Sequence, residues 1–353
     1  MTTVIHSLTN LTAHRNRELL DVALAHAIME VVVPQTIVFA TLVEQDGQRR
    51  WLERARFDVG QPPRLVDPMW ARFESLPERS AFPGRLGCIE SAVVQESAPA
   101  DGSGQFVTVF PVHGETEVDS VLEVYSAHAL DTREMDVVNC MQSVYRNMQS
   151  LLDYSERDSL TGLLNRKSFD DAFFKAMGAQ RSGGERPEAG EPDVARDRRL
   201  ATVGHGYWLG MLDIDHFKRV NDGFGHLIGD EVLLLVARLL RHGFRFHDRL
   251  YRFGGEEFVV LMRCADAEQA QAVFGRFRCS MEAFAFPQVG TITVSVGITQ
   301  LLPSDTPTQA LDRADQAVYA AKSGGRNRVI DHADLVRQGR AKAEVKAGDI
   351  ELF

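Results

Sequence analysis

Arg252-Phe253-Gly254-Gly255-Glu256-Glu257-Phe258 decides how the C-terminal half of this chain is read. Leu250 to Phe253 reads as one strand and Phe258 to Met262 as the next, joined by a tight reversal. Gly-Gly is a favoured pair for a two-residue hairpin because both positions can take φ > 0. A turn without Cβ atoms also lets a ligand come close to the backbone. Glu256 then stands at a loop tip beside accessible main chain. A plain hairpin with solvated acids explains the same stretch, so its surroundings must decide.

Upstream, Leu212-Asp213-Ile214-Asp215 ends an apolar strand, Tyr207 to Asp213, in acids. A strand end that opens to solvent can bring Asp213 and Glu256 together on a hard cation, and Mg²⁺ prefers oxygen ligands. A turn or helix cap accounts equally for Asp213 alone. Lys218, Asn221 and Asp222 follow on a short helix, Phe217 to Asn221, and Asp230 opens the next, Asp230 to His242. Asn and Asp side chains can read a guanine edge, or simply cap and turn. Lys322 and Arg326, where a helix over Thr308 to Ser323 ends in glycine, can neutralise phosphates or cap the helix dipole. Arg245 and Asp248 precede the hairpin and read by themselves as a surface ion pair. Lys167 to Met177 and Ala267 to Phe284 read as helices, Thr291 to Thr299 and Arg328 to Ile330 as strands. Two strand-helix-strand halves around a hairpin are similar to a ferredoxin-like sheet. The polar segment Gly178 to Gly206 reads as a surface insertion, and Asp334 to Phe353 as a charged tail without a core role.

The N-terminal half carries a different pattern. Asn16 to Val33 reads as an amphipathic helix. Thr36 to Glu44 and Arg50 to Phe57 read as a hairpin around Asp46-Gly47, with further strands at Cys88 to Gln95, Phe106 to Val112 and Ser120 to Tyr125. Gly60 to Gly87 reads as loop and short helix. This order suggests an α+β domain on an antiparallel sheet, similar in layout to GAF or PAS sensor domains. Asp131 to Glu156 is one long helix. Val137, Met141, Val144, Met148 and Leu151 alternate at spacings of three and four, while Val138, Tyr145 and Leu152 widen the stripe. A dimer stalk and a helix packed on its own domain both fit.

Composition limits what else the chain can be. The 353 residues suggest two domains, and 44% hydrophobic with 25% charged residues are values of a soluble globular protein. A net charge of −10 argues against a general DNA binder but leaves room for a nucleotide site. Cys88, Cys140, Cys264 and Cys279 are scattered without a metal-binding pair, which points to a reduced cytoplasmic setting. No signal-like segment and no bilayer-length apolar run stands out.

The motifs together resemble the GGDEF-domain diguanylate cyclases. The resemblance runs through DSLTGLLNR at Asp158 to Arg166, LDIDHFKRVND at Leu212 to Asp222 and GHLIGDEVL at Gly225 to Leu233. It continues through RFGGEEF at Arg252 to Phe258, TVSVGIT at Thr293 to Thr299 and ADQAVYAAKSGGRNRV at Ala314 to Val329. It implies a GAF-like or PAS-like sensory domain over 1–130, a signalling coiled-coil helix over 131–157 as the dimer stalk, a ferredoxin-like cyclase domain over 158–331 and a charged tail over 332–353. The implied reaction joins two GTP into cyclic di-GMP and releases two pyrophosphates, in a homodimer governed by an unidentified sensor ligand or partner protein. Asp213, Glu256 and the Ile214 carbonyl would hold Mg²⁺, with Mn²⁺ as the alternative. Glu256 would lie near the attacking 3′-hydroxyl. Asn221 and Asp230 would read guanine. Lys218, Lys322 and Arg326 would meet the phosphates, with Gly254 and Gly255 close to the nucleotide. Arg245 and Asp248 would form a product-inhibition site for cyclic di-GMP. The rival readings are a non-catalytic receptor for GTP or cyclic di-GMP, and a cyclase making other cyclic nucleotides.

Overall fold

Alternation along the strands sets the architecture, because successive side chains point to opposite faces of a sheet. The computed structural model describes residues 12, 16–97, 104–113, 118–182 and 206–341. It divides into two units, Met1–Ser155 and Glu156–Phe353.

In the first unit the described elements are α1 (Arg17–Val32), β1 (Thr36–Gln45), β2 (Gln48–Asp58), β3 (Arg64–Leu65), α2 (Pro83–Ser91), β4 (Gln95–Ser97), β5 (Phe106–His113), β6 (Val118–Ser126) and α3 (Thr132–Glu156). The strands form an antiparallel sheet in the order β3-β2-β1-β6-β5-β4. Asp46 and Gly47 both take positive φ, 50° and 73°, which makes the two-residue β1–β2 turn. Ile37 and Phe39 face the core beneath α1 and α3, whereas Val38 and Ala40 face the cluster that holds Cys88 of α2. The sheet agrees with the expected antiparallel α+β architecture.

Two expectations need correction here. Cys88 to Gln95 is not a strand. Pro83 starts a helix at its first turn, Arg85 and Cys88 are buried on it, and Ala92 ends it in the left-handed conformation. A short mixed window does not distinguish the two periods, and Pro at N1 decides for helix. The apolar stripe of α3 is used within the unit. Val138, Met141, Tyr145 and Leu152 are buried in the core, with Val137, Val144 and Met148 packed against it. The Tyr145 hydroxyl donates to Asp21, which also pairs with Arg54 at 3.1 Å. Of the expected seam, Leu151 remains 62% exposed, and Tyr154 nearby is 86% exposed.

The second unit holds β7 (Leu164–Asn165), α4 (Phe169–Ser182), β8 (Gly206–Ile214), α5 (Phe217–Phe224), α6 (His226–Gly243), β9 (Arg249–Gly254), β10 (Glu257–Cys264) and α7 (Ala267–Ala283). It continues with β11 (Ala285–Phe286), β12 (Gly290–Thr291), β13 (Val294–Gln300), α8 (Pro307–Ser323), β14 (Val329–Asp331) and α9 (His332–Arg337). Its sheet runs β14-β13-β8-β10-β9-β7. The inner order β13-β8-β10-β9, with helices after β8 and β10, is that of a ferredoxin-like βαββαβ core. Leu212, Ile214, Phe258, Val260, Val294 and Val296 share one core with α6 and α7. On β13, a Cβ at Gly297 would lie 2.2 Å from the Ala314 carbonyl oxygen, so α8 sits almost on the sheet backbone. That close seat fixes where the C-terminus of α8 delivers Lys322.

Further differences concern boundaries. The expected strand from Thr291 is broken: Gly290–Thr291 pairs with Ala285–Phe286, and the Thr293 carbonyl instead accepts the Asp215 N–H at 2.9 Å. The tail is helical at its start, where His332 and Leu335 of α9 are buried. Residues 342–353 of that tail and 183–205 of the expected insertion lie outside the described residues, as do 98–103 between two of the strands. No helix among the described residues is long and apolar enough to cross a membrane.

Candidate active site

The signature turn lies one residue beyond its expected place. Gly254 pairs with Glu257, so Gly255 and Glu256 form the two-residue loop, and a register shift follows between Glu257 and Phe258. Gly254 and Gly255 take φ of 147° and 50°, which a residue with a Cβ rarely adopts. Arg252 Nη2 and Nε donate to the Gly255 carbonyl at 2.9 and 3.2 Å, and Nη1 donates to Asp158 Oδ1 at 2.9 Å. Asp158 also accepts from the Thr161 amide and hydroxyl. Burial acts to raise the Asp158 pKa, but the Thr161 and Arg252 hydrogen bonds outweigh it and hold the carboxyl below its usual range. Asp158 and Arg252 therefore brace the turn. By residue type Asp158 can cap a turn, and its bonds to Thr161 bear that out, whereas Arg252 carries no role in the sequence reading. Their spacing in sequence carries no sign that they touch.

Pairing of β10 with β8 brings the two expected metal ligands together. Glu257 opposes Asp213 in the register, and the Ile214 N–H donates to the Glu256 carbonyl at 3.3 Å. Asp213 is buried, and its Oδ2 pairs with Lys322 Nζ at 2.7 Å. Its Oδ1 is buried without a hydrogen-bond partner. Burial raises the Asp213 pKa, opposed by Lys322 and reinforced by Asp215 and Asp315. Burial and then the Asp213 charge raise that of Glu256. Two carboxylates crowded together, one with an orphaned oxygen, are the donor set that a hard divalent cation fits. Lys322 lies on the acid itself.

Asp215, two residues on, is used otherwise. It accepts from Thr293 Oγ1 and Ser295 Oγ, both at 2.7 Å, and from the Asn327 amide at 3.0 Å. Both of its oxygens have protein donors.

Helices α5 and α6 are joined through Gly225, which ends one and starts the next. Asp230 therefore lies in the second turn of α6, which begins at His226, and does not open the helix. Asn221 Oδ1 occupies the space beside Gly229, where a Cβ would be only 2.0 Å away. Asn221 thus lies against the residue next to Asp230, and the expected base-reading pair is adjacent. Lys218 is exposed on α5. Arg326 takes a left-handed φ of 62° after α8.

Arg245 and Asp248 stand apart from these groups. They form a turn before β9, whose far end carries the signature. At the usual rise that strand, Arg249–Gly254, spans roughly 20 Å. The Arg245 amide donates to Asp248 Oδ2 at 2.9 Å. Burial pushes the Asp248 carboxyl up to about 7. It is a closed turn with a buried acid, unlike the solvent-exposed ion pair that the residue types alone suggest.

Residues 195–328 match the family model described as diguanylate cyclase, GGDEF domain. This stretch is a GGDEF domain. The chain is similar to diguanylate cyclase DgcP of Pseudomonas aeruginosa, 38% identical over 202 residues, covering 55% of this chain and 27% of the relative. It is similar to diguanylate cyclase VdcA of Vibrio cholerae, 34% identical over 179 residues, covering 49% of this chain and 46% of the relative. The chain thus spans less than half the length of these relatives. Among solved structures, the GGDEF domain of DgcB from Caulobacter crescentus in complex with c-di-GMP is 32% identical, with a TM-score of 0.43, covering 50% of this chain and 96% of that one.

Proposed function

We propose that this chain is a diguanylate cyclase, condensing two GTP into cyclic di-GMP with release of two pyrophosphates. The observation that carries the reading is the buried, unpartnered Asp213 Oδ1, with Glu256 in the adjoining turn near enough for the Asp213 charge to raise its pKa. Named diguanylate cyclases among the relatives support it.

Asp213, Glu256 and the Ile214 carbonyl would hold Mg²⁺, or Mn²⁺ in its place. Bound there, the cation supplies charge neutralisation to the triphosphate and the departing pyrophosphate. The residues do the rest. The Glu256 carboxylate, its proton affinity raised by burial and by Asp213, is suited to take the proton of the attacking 3′-hydroxyl. Lys322 pairs with Asp213 at 2.7 Å, and its ammonium would also meet the phosphates. Lys218 and Arg326 add charge for the phosphates. The Asp230 carboxylate can accept from N1–H and the 2-amino group of guanine, which adenine lacks, and Asn221 reads the adjoining edge. The turn at Gly254 and Gly255 admits the nucleotide close to main chain.

One domain holds one GTP, so the reaction needs two copies with their sites face to face. In this reading the N-terminal unit is a GAF-like or PAS-like sensor that governs that approach. Arg245 and Asp248 bind the product and restrain the enzyme.

The test is full-length protein incubated with GTP and Mg²⁺, with products separated by chromatography. Cyclic di-GMP is expected from the wild type and none from Glu256→Gln, whose thermal melt should be retained. Wild-type protein that binds GTP and forms no cyclic dinucleotide would be a receptor instead. Normal turnover in Glu256→Gln would refute the assigned role.

A further inference from the structure

We propose that Asp215 is a positioning residue that sets the grip on the substrate's triphosphate by holding the turn that presents Arg326. The inference rests on the reading of Arg326 as a phosphate ligand.

The turn after α8 is strained. Gly325, Arg326 and Asn327 take φ of 110°, 62° and 45° in succession. Left-handed backbone is unfavourable for a residue with a Cβ and persists where the surroundings over-determine it. They do so here. The Arg326 N–H donates to the Ala321 carbonyl at 2.9 Å, and Arg328 Nε donates to the Arg326 carbonyl at 3.0 Å. Asn327 is held at three atoms. Its N–H donates to Asp215 Oδ2 at 3.0 Å, its Nδ2 donates to Glu282 Oε1 at 2.8 Å, and its Oδ1 accepts from Arg278 at 2.9 Å.

Of these clamps Asp215 is the buried one, at 6% exposure. Thr293 Oγ1 and Ser295 Oγ fix its orientation, and its own N–H is bonded to the Thr293 carbonyl. By contrast, the Arg326 guanidinium makes no hydrogen bond or ion pair among the described residues. A backbone held this firmly presents a cation with no partner among the described residues. Its partner is therefore an anion from outside, beside Lys322 and the Asp213 strand end. Asp215 is the link between that strand end and the cation.

Asp215→Asn keeps the size but leaves a single acceptor oxygen for three donors. The experiment is calorimetry on the full chain with guanosine 5′-(α,β-methylene)triphosphate and, separately, guanosine. Wild type, Asp215→Asn, Arg326→Ala and the double variant are compared. Asp215→Asn should weaken the triphosphate analogue roughly tenfold, the worth of one charge-assisted contact, and leave guanosine unchanged. In the Arg326→Ala background it should add no further loss. Equal losses for both ligands would show a general structural role and overturn the inference. So would a full tenfold loss that persists without Arg326, or no loss at all. Should Asp215→Asn fail to fold, Thr293→Val removes one donor and keeps the charge, with a smaller but equally selective loss expected. Wild type that binds neither ligand would bring down the nucleotide reading along with this inference. Wild type that cyclises GTP, beside an Asp215→Asn that binds normally, would bring down this inference alone.

Discussion

Gly229→Ala separates base recognition from folding. The position lies within α6, where alanine is favoured over glycine by about 1 kcal/mol, so the helix itself gains. The added Cβ would stand 2.0 Å from Asn221 Oδ1 and 3.4 Å from the Phe217 ring. Only the first contact is impossible. Asn221 must retreat by more than 1 Å to reach an ordinary contact near 3.4 Å, and a hydrogen bond to a base edge does not survive such a shift. Loss of the Asn221 contacts with guanine costs about 1–3 kcal/mol, or roughly 5- to 150-fold in affinity. The assays are a GTP titration and a thermal melt of the same preparation. The expected result is weaker binding at an unchanged or slightly raised melting temperature. GTP affinity equal to wild type would refute Asn221 as a base reader. A melt lowered in proportion to the binding loss would refute the claim that only Asn221 is displaced.

Two other outcomes are accessible. Asp248 is neutral in the folded protein up to about 7, from an ordinary value of 3.8. Its unfolded form ionises first, so the wild type loses stability as pH rises between these values, and the loss levels off above about 7. Asp248→Asn should therefore gain on the wild type from pH 4 to 7 in denaturant titrations and gain no more beyond; a constant difference across that range would contradict the burial argument. Leu151→Glu with Tyr154→Glu tests the remaining outer face of α3. Both positions are exposed, so the melt should hold while light scattering shows a dimer lost; a dimer that survives places the contact elsewhere.

The C-terminal fold was legible because its strands alternate cleanly and its helices carry periodic apolar faces. Ordered motifs named the candidate site residues. What was not legible depends on contacts distant in sequence. The stripe of α3 has the spacing of a stalk, and no spacing says whether it faces a second chain or its own sheet. Tyr145 settles that locally, since its hydroxyl has a buried partner in Asp21 on α1. Cys88 to Gln95 misleads because a short apolar window fits a helix as well as a strand. The brace from Asp158 through Arg252 to Gly255 joins motifs separated by 94 positions, and neither residue type announces the other.

The two acids of Leu212-Asp213-Ile214-Asp215 show where sequence reasoning ends and hydrogen-bond accounting begins. By residue type and position they are equivalent candidates for a cation. A carboxylate with protein donors on both oxygens is already stabilised, and a buried oxygen left without a partner is costly unless something else satisfies it. Asp215 takes donors from Thr293, Ser295 and Asn327, which makes it an anchor. Asp213 takes Lys322 on one oxygen and leaves the other empty, with Glu256 alongside. The unpaired oxygen, more than the presence of an acid, is what favours Asp213 over Asp215 as the proposed ligand. It also explains why a lysine that reads in sequence as a phosphate contact rests on a carboxylate in this structure. Lys322, paired with Asp213 at 2.7 Å, opposes the burial that raises the pKa of this carboxyl.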